Sequence, residues 1–451
     1  MMISALAVLE IWRTDTVLAA RDAHASQAFF LAESGVERGR AWLKAQNSLG
    51  NETETIYPFG ESPDTLAGGS YLVSIVPDPL NPSAYPDIYT VCCTATDGRR
   101  ARCVEADYAA ECFADFLYFT DFEHTQGGGD PAWFITPDAI NGPLRTNDQI
   151  HIMGDPTFAG YVQSAWGGPD DSNQNHNPMF DYYNGHWSNH IESAAPSNPP
   201  YDFPTFERGY ELGSSAIPIP QDAVQDFADL AQDGGIYENG GRQVAFARED
   251  AQGDPMYGYV SYRKNAGKPW TDVEIASTNG IMYVGGQVEI LGGVLDGHLT
   301  IASNVAMVID DDIVYRESNE DGPLPGCDDM LGLVCMGDIT VADNEANGQD
   351  CIIHASIVAT NTSFKVEHWA NGSPRGTLTV HGGICQKFRG AVGTGALQGD
   401  ELLVLTGYAK DYHYDGRFSV MAPPGYELIL MTGEYRRLAW RDVGSWTVCT
   451  D

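Results

Sequence analysis

A chain of 451 residues with 43% hydrophobic and 11% aromatic side chains carries enough apolar surface for two or three cored domains, which excludes an intrinsically disordered protein. Its 62 Asp and Glu against 25 Lys and Arg leave a formal net charge of −37, and such a surface repels phosphate backbones, which argues against a nucleic-acid partner. The 49 Gly and 25 Pro, set among short apolar runs, point to a β-rich chain of many turns.

In chain order the first element is a long helix. Leu18, Ala25, Phe29, Ala32, Val36 and Leu43 recur at spacings of three, four and seven, which puts them on one stripe, while Glu33, Glu37, Arg38 and Arg40 fall largely elsewhere. No Gly or Pro interrupts the run before Gly35. A helix of this pattern is built to pack lengthwise against a partner, or to cap a soluble domain.

Residues 5–45 carry apolar Ala5 to Leu9, then Arg13 and Asp15, then Gln27, Ala28, Phe29, Leu31, Ala32, Glu33, Ser34, Gly35 and Glu37. This resembles the N-terminal helix of PilX-type minor pilins of type IV pilus systems: an apolar membrane half, a polar break, and a QAFYLAEAGxE-like half that packs into a pilus or pseudopilus. The resemblance implies assembly contacts at Leu18, Ala25, Phe29, Ala32, Glu33, Val36, Glu37 and Leu43. It also implies other pilin-like subunits or the assembly machinery as partners, and a membrane-anchored envelope protein with an extracytoplasmic ectodomain. Pilins begin with a basic leader, a Gly before the cleavage point and ~20 apolar residues. Here Met1 to Leu9 is too short to span, and Glu10, Trp12, Arg13 and Asp15 follow at once. Either Met1 is internal to a longer product that reaches the inner membrane, or the anchor has been lost; the intact register downstream favours the first.

Residues 46–110 read as a small antiparallel sheet, with alternating strands expected near 70–76, 88–96 and 99–108, the layout of a pilin-like head. Asp97-Gly98 signals a two-residue hairpin turn, and with Thr96 opposite Arg99 the register sets Cys92 opposite Cys103, within disulfide range but at a strained, hydrogen-bonded position. Such a bridge fits an oxidising compartment. The nine cysteines contain no CxxC pair, and an odd number leaves at least one unpaired or paired between chains.

A β-rich stretch is expected over 111–270. Asn141-Gly142-Pro143, Asn147, Gly154 and Phe158-Ala159-Gly160 resemble uncharacterised bacterial domains that commonly follow a PilX-like helix, a resemblance that runs through most of the chain and carries no catalytic assignment. Residues 166–205 read as a long polar loop. Near 220–232, Pro220 starts a short helix with Ala223, Phe227, Leu230 and Ala231 on one face and Gly234-Gly235 at its end. Over 271–451 a β-solenoid-like domain and a C-terminal tail are expected, because from Asp272 to Gln386 apolar runs of three to five residues divided by Gly, Asn or Asp suit the rungs of a solenoid. No strict period is present, so an irregular parallel β-helix is expected, with a β-sandwich as its rival. The fold class is therefore mainly β with an N-terminal α-helix.

Constellations that could carry chemistry are sparse. Asp310, Asp311 and Asp312 invite a glycosidase reading, but they read more simply as a solvated turn. His176, His186 and His190 lie in the polar loop, where Asn184-Gly185 opposes the helix that a metal pair needs. Asp343, Glu345 and Asn347 before Gly348 imitate half of a calcium loop, with His354 where the bidentate Glu belongs. Gly127 to Gly129 precede Asp130-Pro131 and no helix, which makes a turn and no phosphate cradle. Tyr408, Tyr412, Tyr414, Trp440 and Trp446 could stack on sugars or simply pack. The expectation is a non-catalytic assembly protein without a cofactor, calcium excepted. The alternatives are a secreted carbohydrate-binding or carbohydrate-active β-helix and a passive adhesive module.

Overall fold

The computed structural model describes residues 2–46, 54–77, 87–127, 132–135, 138–153, 155–166, 204–398 and 401–444. The chain forms two units, Met1–Glu111 with Gly433–Asp451, and Cys112–Thr432.

In the first unit, α1 (Met2–Lys44) packs on a five-stranded sheet ordered β1 (Asp64–Leu66), β2 (Gly69–Pro77), β3 (Ile88–Thr96), β4 (Ala101–Cys112) and the C-terminal strand (Met431–Gly444). β1 to β4 pair antiparallel. On β3, Tyr89, Val91, Cys93 and Ala95 are buried while Thr90, Thr94 and Thr96 are half-exposed, the alternation expected of a sheet covered on one face. The C-terminal strand, part of the segment expected at 271–451 as a solenoid-like domain and C-terminal tail, belongs to this sheet.

The second unit is a parallel β-helix of three faces. Along the first face, Met282, Ile301, Leu333, Ile357, Ile384, Tyr118, Leu144 and Val162 stand in register, each on the next rung. The second carries Ile313, Ile353, Val380, Tyr412, Ile140, Phe158 and Phe206, and the third Val244, Ile290, Ile309, Val341 and Val366. Nearly all of these side chains are fully buried in one core, the close-packed interior that in-register apolar columns produce. The expected boundary at 270/271 falls inside this solenoid, because Arg242–Phe246 pairs in parallel with Val288–Ile290.

Rung order does not follow chain order. The chain enters mid-stack at β5 (Tyr118–Phe122), beside the late strand Pro374–Phe388, and climbs through Leu144–Thr146 and Val162–Ser164 to Tyr210–Leu212. It then returns along the outside as a strap. Asn147 Nδ2 donates to Ile217 O (2.7 Å) and its Oδ1 accepts Ile217 N–H (2.9 Å), while Arg145 Nη2 donates to Ser215 O and Gln221 Nε2 to Thr360 O. The strap ends in α2 (Ala223–Gln232), which buries Ala223, Val224, Phe227, Ala228 and Ala231, and the stack restarts at Ile236–Glu238. A buried ion pair locks the seam where early and late segments meet: Arg389 Nη1 donates to Glu123 Oε2 (2.9 Å) and to Ala132 O (2.8 Å), with its guanidinium 3.8 Å from the Phe134 ring centroid.

Candidate functional site

The helix stripe sits differently from its expected role. Ala28, Leu31, Ala32, Gly35, Val36, Gly39 and Leu43 form the buried face of α1. Small residues make the approach close: a Cβ on Gly35 would come 2.2 Å from Cys93 Sγ, and one on Gly39 2.5 Å from Val91 Cγ1. Ala32, Val36 and Leu43, expected to meet another subunit, are thus spent on the unit's own sheet. Ala25, Phe29 and Glu33 are half-buried, and Leu18 and Glu37 are exposed. Periodicity reveals that a stripe is buried but not against what.

What α1 leaves outward is a different set. Trp12 is 73% exposed and Phe30 62%, with Val17 and Leu18 also in solvent. Phe29 stacks edge-on with Phe30 and with Trp440 of the C-terminal strand, where Leu438 is exposed as well. Among the described residues no helix is long and apolar enough to cross a membrane. Ion pairs tie the rest of the unit down: Arg38 to Asp64 (2.7 Å), Lys44 to Glu434 (2.6 Å), and Arg441 to both Glu105 and Asp107.

The cysteine pairing requires correction. Thr96 stands opposite Ala101, not Arg99, so Cys92 faces Glu105 and Cys103 faces Thr94. The cause is Asp97, whose Oδ1 accepts the N–H groups of Arg99 (2.9 Å) and Arg100 (2.8 Å) and holds a longer turn than Asp97-Gly98 alone would make. Cys92, Cys93, Cys103, Cys112, Cys327, Cys335, Cys351 and Cys385 are all buried. Burial, then the neighbouring Cys103, pushes the Cys93 thiol up to about 12.

The acidic motifs resolve into separate local roles. Asp312 accepts Ile352 N–H (2.7 Å) and Asp311 caps Asp312 N–H, while Asp310 is pushed up to about 7 by burial and then by a hydrogen bond with Glu289. Asp343 lies between Arg375 Nη2 and His368 Nδ1, both at 2.9 Å, in an open groove also lined by Asn371 and Ser373. Asn347 turns its Nδ2 inward to Ile309 O and Ala342 O, and Glu345 is exposed, so the three residues of the expected calcium loop are not brought together. Among the described residues no group of three His, Cys, Asp or Glu is placed to hold a metal. Tyr408 and Tyr412 are buried, with Tyr408 donating to Asn347 O, and Trp440 lies in the other unit. His176, His186, His190, Gly128, Gly129, Gly154, Trp446, Cys449 and nearly all of the 166–205 segment fall outside the described residues.

Residues 85–166 match a family described as a domain of unknown function (DUF4900). The match runs from the end of the helix-and-sheet unit into the first rungs of the solenoid. No curated protein matches the chain. Among solved structures it is similar to the competence-associated pilin ComZ from Thermus thermophilus, at 11% identity over 93% of this chain and 98% of that one, with a TM-score of 0.33, below what defines a shared fold.

Proposed function

We propose that this chain is a non-catalytic structural subunit of an envelope filament of the type IV pilus or pseudopilus kind, with the acidic solenoid as its ectodomain. The observation that carries the reading is the division of labour along α1. Residues 28–43 are held by the sheet, whereas residues 12–23 are exposed along their whole length and present Trp12, Val17 and Leu18 to solvent. Most helical stability in proteins comes from packing an apolar face, and an outward run of large apolar side chains marks an interaction site. The PilX-like pattern of residues 5–45 supports a neighbouring helix as the partner, and thus a cell-envelope location. The solenoid then needs no cofactor and no catalytic residue. The double variant Trp12→Glu/Leu18→Glu tests this. It should keep the wild-type circular dichroism spectrum and melting temperature, yet disappear from the sheared-filament fraction of the native host. Undiminished recovery of the variant in that fraction overturns the reading.

A further inference from the structure

Three imidazoles stand in register on the second face of the solenoid. His354 is opposite His381 and His381 opposite His413, on the adjacent parallel strands Cys351–Ala359, Pro374–Phe388 and Glu401–Tyr414. The ring centroids lie 5.0 and 4.9 Å apart, and Tyr315 closes the inner end 5.1 Å from His354. His354 and His381 are 1% and 5% exposed. His354 Nδ1 accepts Tyr315 N–H at 3.1 Å, which places its proton on Nε2. Nε2 of both His354 and His381 is buried without a hydrogen-bond partner. His413, at the outer end, contacts Asp411 at 2.7 Å.

This arrangement is tolerable only while the inner rings are neutral. A second proton on His354 would set a cation beside His381 and the Arg417 guanidinium with no water to solvate it. Cys327 and the Arg417–Asp415 pair also border Tyr315, and the hairpin at 318–323 covers His381 so closely that a Cβ on Gly322 would come 2.6 Å from its Nδ1. Burial, then His381 and Arg417, push His354 down to about 3. His381 is also lowered, by burial and then His413, although Asp411, Asp415 and Asp321 pull the other way.

We propose that this column is an acid-sensitive latch: with its rings neutral it holds the rungs between Cys351 and Tyr414 in register, and protonation of the buried pair opens the second face of the solenoid there. The sign follows from linkage. An unfolded imidazole binds its proton near 6.5 and the buried ones bind it only at lower pH, so stability is complete above 6.5 and falls as the pH drops toward about 3. At about pH 4.5, His354 alone should raise the unfolding equilibrium constant about 100-fold relative to neutral pH.

Carboxylates elsewhere also titrate in this window, so the test needs a variant. His354→Asn keeps an oxygen to accept Tyr315 N–H but cannot be protonated. In urea unfolding of the full chain at about pH 7.5 and about pH 4.5, it should lose about 100-fold of the wild-type pH effect on the unfolding constant. An undiminished pH effect overturns the latch. Should the variant fail to fold, NMR titration of the wild-type imidazole resonances decides: the His354 ring should stay neutral through pH 4.5 and the His381 ring should titrate below the ordinary imidazole range, and titration of His354 near 6.5 overturns the proposal.

Discussion

The first unit and the solenoid bury their cores by different means. In the first, one helix meets one sheet through a few close contacts at Gly35 and Gly39, and charged side chains stitch the periphery. It holds 11 of the chain's 25 Lys and Arg but only 18 of its 62 Asp and Glu, so the solenoid carries most of the net negative charge. The solenoid relies on repetition: each rung buries its apolar side chains on equivalent ones above and below, and the Glu123–Arg389 seam sets an ion pair inside that apolar stack. A helix-on-sheet unit concentrates its stability in a few irreplaceable contacts. A ladder spreads it over many near-equivalent ones, and its weak point is wherever the ladder is not made by consecutive chain.

That weak point gives the largest expected effect. Arg389 and Glu123 are 6% and 0% exposed in their side chains, and Arg389→Leu strands a carboxylate in the core. Breaking a buried pair from one side costs about 3–5 kcal/mol, and replacing both partners costs far less. Urea unfolding should show that loss for Arg389→Leu and substantial recovery in Arg389→Leu/Glu123→Leu. Equal losses in the single and double variants would mean that the seam is held by its strands alone.

The matching test on the first unit is Gly35→Ala. Alanine favours a helix over glycine by about 1 kcal/mol, but the new Cβ, 2.2 Å from Cys93 Sγ, forces apart a packed interface at about 1–3 kcal/mol. A net loss of up to about 2 kcal/mol is expected. Cys93→Ala in the same chain removes the opposing sulfur and should restore stability beyond the sum of the single effects. Simple additivity would show that the contact tolerates relaxation.

The same contrast explains what the sequence revealed. Runs such as Ile281 to Val284, set between Gly280 and Gly285, and Ile339-Thr340-Val341, preceded by Gly337-Asp338, announced solenoid rungs because each rung is a local event. The strands expected near 70–76 and 88–96 appear as Gly69–Pro77 and Ile88–Thr96 for the same reason. The permuted stacking was hidden, since nothing local in Tyr118–Phe122 tells it to lie beside Ile384 to Phe388. Gly35 and Gly39 carry no apolar side chain, so the stripe from Leu18 to Leu43 included Ala32, Val36 and Leu43 of the contact surface but missed the two glycines where the approach is closest. The Cys92–Cys103 register failed on one side chain, Asp97, whose backbone bonds reset the turn. The histidine column had no motif to find, because its three members meet only through parallel pairing of distant strands.

The smallest effect should come from the stitching. Arg441 is exposed and bridges β4 to the C-terminal strand, with Nε 2.9 Å from Glu105 Oε2 and Nη1 and Nη2 at 2.6 and 2.8 Å from the two oxygens of Asp107. Its fork geometry is the favourable one for a carboxylate, yet solvent screens it, so Arg441→Ala should cost about 0.5–1 kcal/mol. Asp107 is partly desolvated, but the Arg441 and Thr90 bonds still lower it, so this contribution exists above the ordinary carboxylate range and disappears as pH falls through it. Raising ionic strength to about 1 M shortens the screening length to about 3 Å and should nearly erase the difference between variant and wild type. The Arg389→Leu defect should persist at that salt. If instead the Arg441→Ala loss were as large and as salt-resistant, the bridge would be part of the core, and the contrast between a stitched unit and a stacked one would not hold.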